Sequence, residues 1–123
     1  MPHVIIEHSS DISKNSIIPI GKAIQDIMLS ITEGKFDPDQ CKVRGHSFDE
    51  YLVGKPDHTT SSFLHITIKI MAGRIDEIRK KLAEETAEFT KKFVLEQNLK
   101  TTRCDISVDI VEMDSKSYQK MRL

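Results

Sequence analysis

Apolar residues in this chain switch between two spacings, and each switch marks an element. Val4, Ile5 and Ile6 form a β-branched run closed by the polar cluster Ser9–Asp11, which predicts a central strand with a polar exit. Ile20, Ile24, Ile27 and Ile31 then recur at spacings of four, three and four, which predicts an amphipathic helix with one buried face. Pro19 fits near its start or at a slight kink, and Gly34 supplies a stop. After the turn "FDPDQ", the stretch "CKVRGHSFDEYLVG" reads as a strand with Cys41, Val43 and Gly45 on one face and Lys42, Arg44 and His46 on the other. "KPDHTTSS" is a polar loop. "FLHITIKIMAG" carries the strongest alternation, with Leu64, Ile66, Ile68 and Ile70 set against His65, Thr67 and Lys69. From Ile75 the helical period returns in Ile78, Leu82, Thr86, Phe89 and Phe93. "RCDISVDIVEM" then alternates Cys104, Ile106, Val108 and Ile110 with Asp105, Ser107 and Asp109, so a strand with one apolar and one acidic face is expected. Residues 114–123 read as a polar tail whose one aromatic is Tyr118.

Shifting the chain by 62 positions lays "HVIIEHS" from His3 on "HITIKIM" from His65, each followed by a helix and a further strand. Two β-α-β units therefore follow one another, about 2–60 and 63–113, within one domain spanning 1–123. The fold class is α/β, or α+β: a four-stranded mixed sheet with two helices on one face, since crossovers within one sheet are right-handed. Its other face, carrying Ile5 and Thr67, has no cover within the chain. Burying it takes a partner, so an oligomer is expected.

Composition narrows the chemistry. With 18 basic and 19 acidic residues the net charge is −1, so no global field draws nucleic acid and any anion must be held locally. Cys41 and Cys104 lie far apart without ligand spacing, and are expected as buried thiols of a reducing compartment. The amino terminus lacks the basic and apolar regions of a leader, and no apolar run is long enough for a membrane span, so a cytoplasmic protein is expected. His3, His8, His46, His58 and His65 are scattered, which argues against a metal site, and no phosphate-cradling or nucleophile-elbow motif argues for a cofactor or a triad.

Two constellations remain. Pro2 leads directly into the first strand, and its small side chain permits removal of Met1, leaving a secondary amine fixed at the mouth of a sheet. An α-amine titrates near pH 8 in water, and burial or neighbouring cations push it toward the range a general base needs. With Met1 in place the same nitrogen is an amide and no base. The second constellation is cationic: Lys42 and Arg44 on one strand face, and Arg74 in the turn before the second helix, where an arginine can grip a carboxylate.

"MPHVIIEHS", "CKVRGHSFDEY" and above all "FLHITIKIMAGR" resemble the 5-carboxymethyl-2-hydroxymuconate delta-isomerase family of the tautomerase superfamily, over Pro2 to about Tyr118. The resemblance implies a homotrimer in which the proline nitrogen moves a proton within a small anionic unsaturated acid, without metal or cofactor. It matches Pro2 to the catalytic proline and Arg74 to the arginine that closes the strand. The family's Arg-x-Arg pair stands here as Lys42 and Arg44, and lysine holds a carboxylate as a point charge rather than a fork. Two other readings fit the same fold: a non-enzymatic oligomeric ligand-binding or cytokine-like module, or another proline-dependent reaction such as hydration or decarboxylation. A nucleic-acid-binding plait is disfavoured, because "FLHITIKI" offers only Phe63 for stacking.

Overall fold

A computed structural model describes residues 1–55, 61–98 and 103–123. His58 and most of the expected polar loop lie outside the described residues. Four strands and two helices follow in the order β1 (His3–Ser9), α1 (Ile17–Ser30), β2 (Lys42–Phe48), β3 (Ser61–Met71), α2 (Asp76–Leu95) and β4 (Arg103–Met113). The sheet order is β2-β1-β3-β4, with β1 parallel to β2, β3 parallel to β4, and β1 antiparallel to β3. The expected mixed sheet of two β-α-β units is therefore present.

The internal repeat also specifies the central register. His3 faces Lys69, Ile5 faces Thr67 and Glu7 faces His65. A shift of 62 exchanges the first and last of these pairs and leaves Ile5–Thr67 in place, so a pseudo-twofold axis passes through that pair. Val4 and Ile6 of β1 and Leu64, Ile66, Ile68 and Ile70 of β3 point beneath the helices, each no more than 1% exposed. There they meet Ile20, Ile24 and Met28 of α1 and Leu82 of α2 in one aliphatic core. Cys41 and Cys104 sit at its margin as unpaired thiols, half-buried rather than buried.

Pro19 lies in the first turn of α1, where a fixed φ and a missing donor cost nothing, so it starts the helix and does not kink it. Gly34 is not the stop. The helix ends four residues earlier, where Ile31 donates to the carbonyls of Ile27 and Met28, and the left-handed residue that follows is Lys35, at φ 50°. Gly34 is small for another reason: a Cβ there would stand 2.4 Å from the Phe36 ring. In α2 the buried ridge is Leu82, Thr86, Thr90 and Val94, at a strict spacing of four. Phe89 and Phe93, stacked at 6.0 Å, flank it. Thr90 enters the interior because its hydroxyl donates to the Thr86 carbonyl at 2.7 Å, which satisfies the group that marks it as polar.

β2 stops at Phe48, short of the fourteen-residue strand expected from Cys41 to Gly54. As expected, its Lys42, Arg44 and His46 share the face away from the helices, opposite Val43 and Gly45. At the far end of β1, the Asp11 carboxylate accepts hydrogen bonds from Ser9, at 2.5 Å, and from Ser62, pinning the strand exit to the start of β3. Among the described residues no helix is long and apolar enough to cross a membrane.

α1 approaches β2 most closely at Gly21, where a Cβ would lie 2.7 Å from a Val43 methyl. Val43 is β-branched and cannot swing aside. Gly21→Ala should therefore lower stability by about 1–2 kcal/mol despite its better helix propensity. In a urea-denaturation double-mutant cycle with Val43→Ala, the two losses should be clearly non-additive.

Candidate active site

Pro2 is buried directly ahead of β1, and its carbonyl accepts the backbone N–H of Lys42 at 3.0 Å. This bond ties the chain start to the first residue of β2, so whatever nitrogen begins the chain is fixed between two strands. In the Met1 form the α-amine is pushed below its ordinary value by burial first, then by Arg74 and Lys120, with Asp37 and Cys41 opposing. Removal of Met1 moves the amine one residue further in, onto the buried Pro2, among the same charges.

Arg74 follows β3, which runs antiparallel to β1 and so ends beside the chain start. Its Nε donates to the Gly34 carbonyl at 2.7 Å, Nη1 to Met71 at 3.2 Å and, more weakly, Nη2 to Lys35 at 3.5 Å. The guanidinium also lies 4.2 Å from the centre of the Phe36 ring. Three of its five donors are thus committed, leaving two for a ligand. The sequence suggested that Arg74 would act together with the start of α2, but that start is answered by its own acids, Asp76 and Glu77, and Asp76 pairs with Arg79. Arg74 instead turns toward the loop that follows α1.

Lys42 and Arg44 stand on the open sheet face opposite His3 and Ile5. Arg44 Nη1 lies 3.2 Å from His3 Nδ1, and His3 Nε2 lies 2.8 Å from the Tyr118 hydroxyl. A guanidinium only donates, so Nδ1 accepts, and the imidazole proton sits on Nε2 and is given to Tyr118. Burial, then Arg44, Lys42 and Lys69, lower the pKa of His3, which keeps it neutral.

The tail expected to be merely polar is folded back onto this end of the sheet. A turn in which Tyr118 donates to the Asp114 carbonyl at 3.0 Å reverses the chain. Beyond it, Lys120 Nζ and Arg122 Nη2 both donate to Gln40 Oε1, the latter at 3.3 Å. His3, Tyr118, Lys120 and Arg122 were not singled out by sequence reasoning. The available signal was a lone tyrosine among cations in the last residues, and nothing local says what it meets. Among the described residues no three His, Cys, Asp or Glu side chains converge as a metal ion would require.

Two β-α-β units joined into one four-stranded mixed sheet make a tautomerase-like fold. Residues 2–122 match the family of 5-carboxymethyl-2-hydroxymuconate isomerases. The chain belongs to that family and is an enzyme of this isomerase type. Similar solved structures include a 5-carboxymethyl-2-hydroxymuconate isomerase from Deinococcus radiodurans R1, at TM-score 0.80 and 21% identity, covering 99% of this chain and 90% of that one. A 5-carboxymethyl-2-hydroxymuconate delta-isomerase matches at TM-score 0.76 and 15% identity, covering 100% and 89%. A fused 4-OT protein described as a symmetric trimer matches at TM-score 0.71 and 10% identity, covering 98% and 92%. At these identities the shared property is the fold. No curated protein sequence gives a significant match.

The position of His3 sets a pH dependence. Its pKa is lowered on folding, so the unfolded chain takes up the proton first, and stability is lost as pH falls below the ordinary histidine value of 6.5. Protonation also sets Nδ1–H against the Arg44 donor. Thermal melts at stepped pH from 7.5 to 5 should show this loss, and His3→Gln should flatten it.

Proposed function

We propose that the protein is a cofactor-independent tautomerase of a small anionic unsaturated 2-hydroxy or 2-oxo acid, such as 5-carboxymethyl-2-hydroxymuconate, with Pro2 as its acid and base. The observation that carries this reading is the buried position of Pro2 at the head of the central strand, where burial, then Arg74 and Lys120, push the pKa of the chain-start amine below its ordinary value. The neutral amine takes the proton of the 2-hydroxyl. The O–H electrons close the C=O bond, the diene electrons shift along the chain, and the resulting ammonium returns the proton to carbon. Atoms and charge balance without a co-reactant.

Arg74 with its two remaining donors, Lys42 and Arg44 hold the carboxylates and stabilise the developing dienolate. Acid–base transfer of this kind contributes about 10²- to 10⁴-fold, and oriented charge about 3 kcal/mol more. Lysine at position 42 contributes charge without a bidentate fork, so orientation falls to the arginines.

The working unit in this reading is a homotrimer. The open sheet face is basic along β2, with Lys42 and Arg44, and carries acid along β4 in Asp109 and in Asp105, the latter already paired with Arg103 of the same strand. A ring of copies sets the basic margin of one chain against the acidic margin of the next. Light scattering should give about three times the 14.1 kDa chain mass, and a monomer at micromolar concentration contradicts the ring.

For the chemistry, the form shown by intact mass to lack Met1 should turn over 2-hydroxymuconate. Its kcat/KM should show one ionisation below the ordinary α-amine value. A residue added before Pro2 that cannot be removed should abolish turnover with the fold intact, and Arg74→Ala should lower kcat/KM by roughly 10- to 1,000-fold. Full activity in protein proven to retain Met1 ends the proline-base reading.

A further inference from the structure

The folded-back tail carries charge to the chain start that no ion pair uses. Lys120 and Arg122 converge on one neutral oxygen, Gln40 Oε1, and among the described residues neither is within 4 Å of a carboxylate. Two cations on a single amide oxygen leave most of their field unanswered. The carboxylate that acts on both the Met1 amine and Lys120 is Asp37, and one of its oxygens already accepts the Asp39 N–H at 3.1 Å. Arg74 and Lys120 act on the Met1 amine, and Arg122 and Lys42 act in turn on Lys120, with Asp37 the carboxylate common to both. Burial, then Arg122 and Lys42, lower the pKa of Lys120, with Asp37 opposing.

The tail is held in place by structure independent of this charge. Tyr118 is bonded to His3 of β1, and the Asp114 turn is closed by two backbone bonds, from Ser117 at 3.1 Å and from Tyr118 at 3.0 Å. Lys120, two residues beyond Tyr118, is therefore delivered beside the start of β2, where Lys42 is bonded to Pro2. An acid such as 5-carboxymethyl-2-hydroxymuconate carries three carboxylates, while Arg74 has three donors committed to backbone carbonyls and Arg44 has one committed to His3, so a further cation beside Lys42 has a carboxylate to share.

We propose that Lys120, supported by Arg122, is a substrate-binding residue that holds a second carboxylate and selects di- and tricarboxylates over monocarboxylates. The assignment rests on the reading of the Pro2 end as the substrate site, but its test does not need turnover. Muconate and sorbate share one diene skeleton and differ by a single carboxylate, so their affinities, measured by calorimetry on the Met1-free protein, isolate the grip on that group. The wild type should bind muconate at least about tenfold more tightly than sorbate. Lys120→Gln should lower the ratio at least about threefold, Lys42 and Arg44 keeping the rest, while leaving sorbate affinity within about twofold, which also reports that the site is intact. Lys120→Arg should keep most of the preference. A wild type without preference for muconate, or a ratio unchanged in Lys120→Gln, overturns the proposal. Failure of the proline chemistry shows differently: no turnover of 2-hydroxymuconate, with the muconate preference still reduced by Lys120→Gln.

Discussion

The antiparallel pairing of β1 with β3 is the constraint on which the amino-terminal end depends. It sets His3 between Lys42 on one side and Lys69 on the other, and it brings the end of β3, and so Arg74, back to the place where the chain begins. A slip of one residue would turn Val4 and Ile6 out of the core and His3 into it. The aliphatic packing beneath the sheet therefore fixes the polar arrangement above it. Stability and site geometry are two readings of one register.

Charge then acts on that frame. A sheet mouth surrounded by Arg74, Lys42 and Lys120 disfavours a further positive group, so an amine there gives up its proton more readily and an anion is welcome. Burial and then the same local excess lower the pKa of His3, and Arg44 fixes its tautomer. The chain as a whole is close to neutral, at −1, because acids elsewhere offset these cations, as along β4, where Asp105, Asp109 and Glu112 stand with Arg103. What steers chemistry here is the distribution of charge rather than its sum.

Much of this was legible in the sequence because it is periodic or adjacent. Alternation in "HITIKIM" identified β3 and its faces, the repeat at 62 anticipated the two β-α-β units of one mixed sheet, and Pro2 announced itself by standing next to a strand. Contacts that depend on distant chain were silent. His3 and Tyr118 are 115 residues apart, and neither has a neighbour that hints at the other. Thr90 reads as surface until its hydroxyl is seen to bond one turn back, and Gly34 reads as a helix stop until Phe36 is found over it. The cations divide in the same way: strand parity puts Lys42 and Arg44 on one face, but parity cannot say that Arg74 is already engaged with three carbonyls.

The repeat has one further consequence, which concerns symmetry and its loss. A chain assembled from two like units has two strands that could each begin at a reactive nitrogen, yet a polypeptide has one beginning. The counterpart of Pro2 in the second unit is Leu64, whose nitrogen is an amide inside a continuous strand, barred by its bonding from ever acting as a base. Its half of the sheet is the longer one: β3 and β4 run to 11 residues each, where β1 and β2 stop at 7. Joining two units into one chain thus halves the number of amine termini per unit and converts the silenced half into scaffold. That scaffold carries the strand whose far end leads into the folded-back tail.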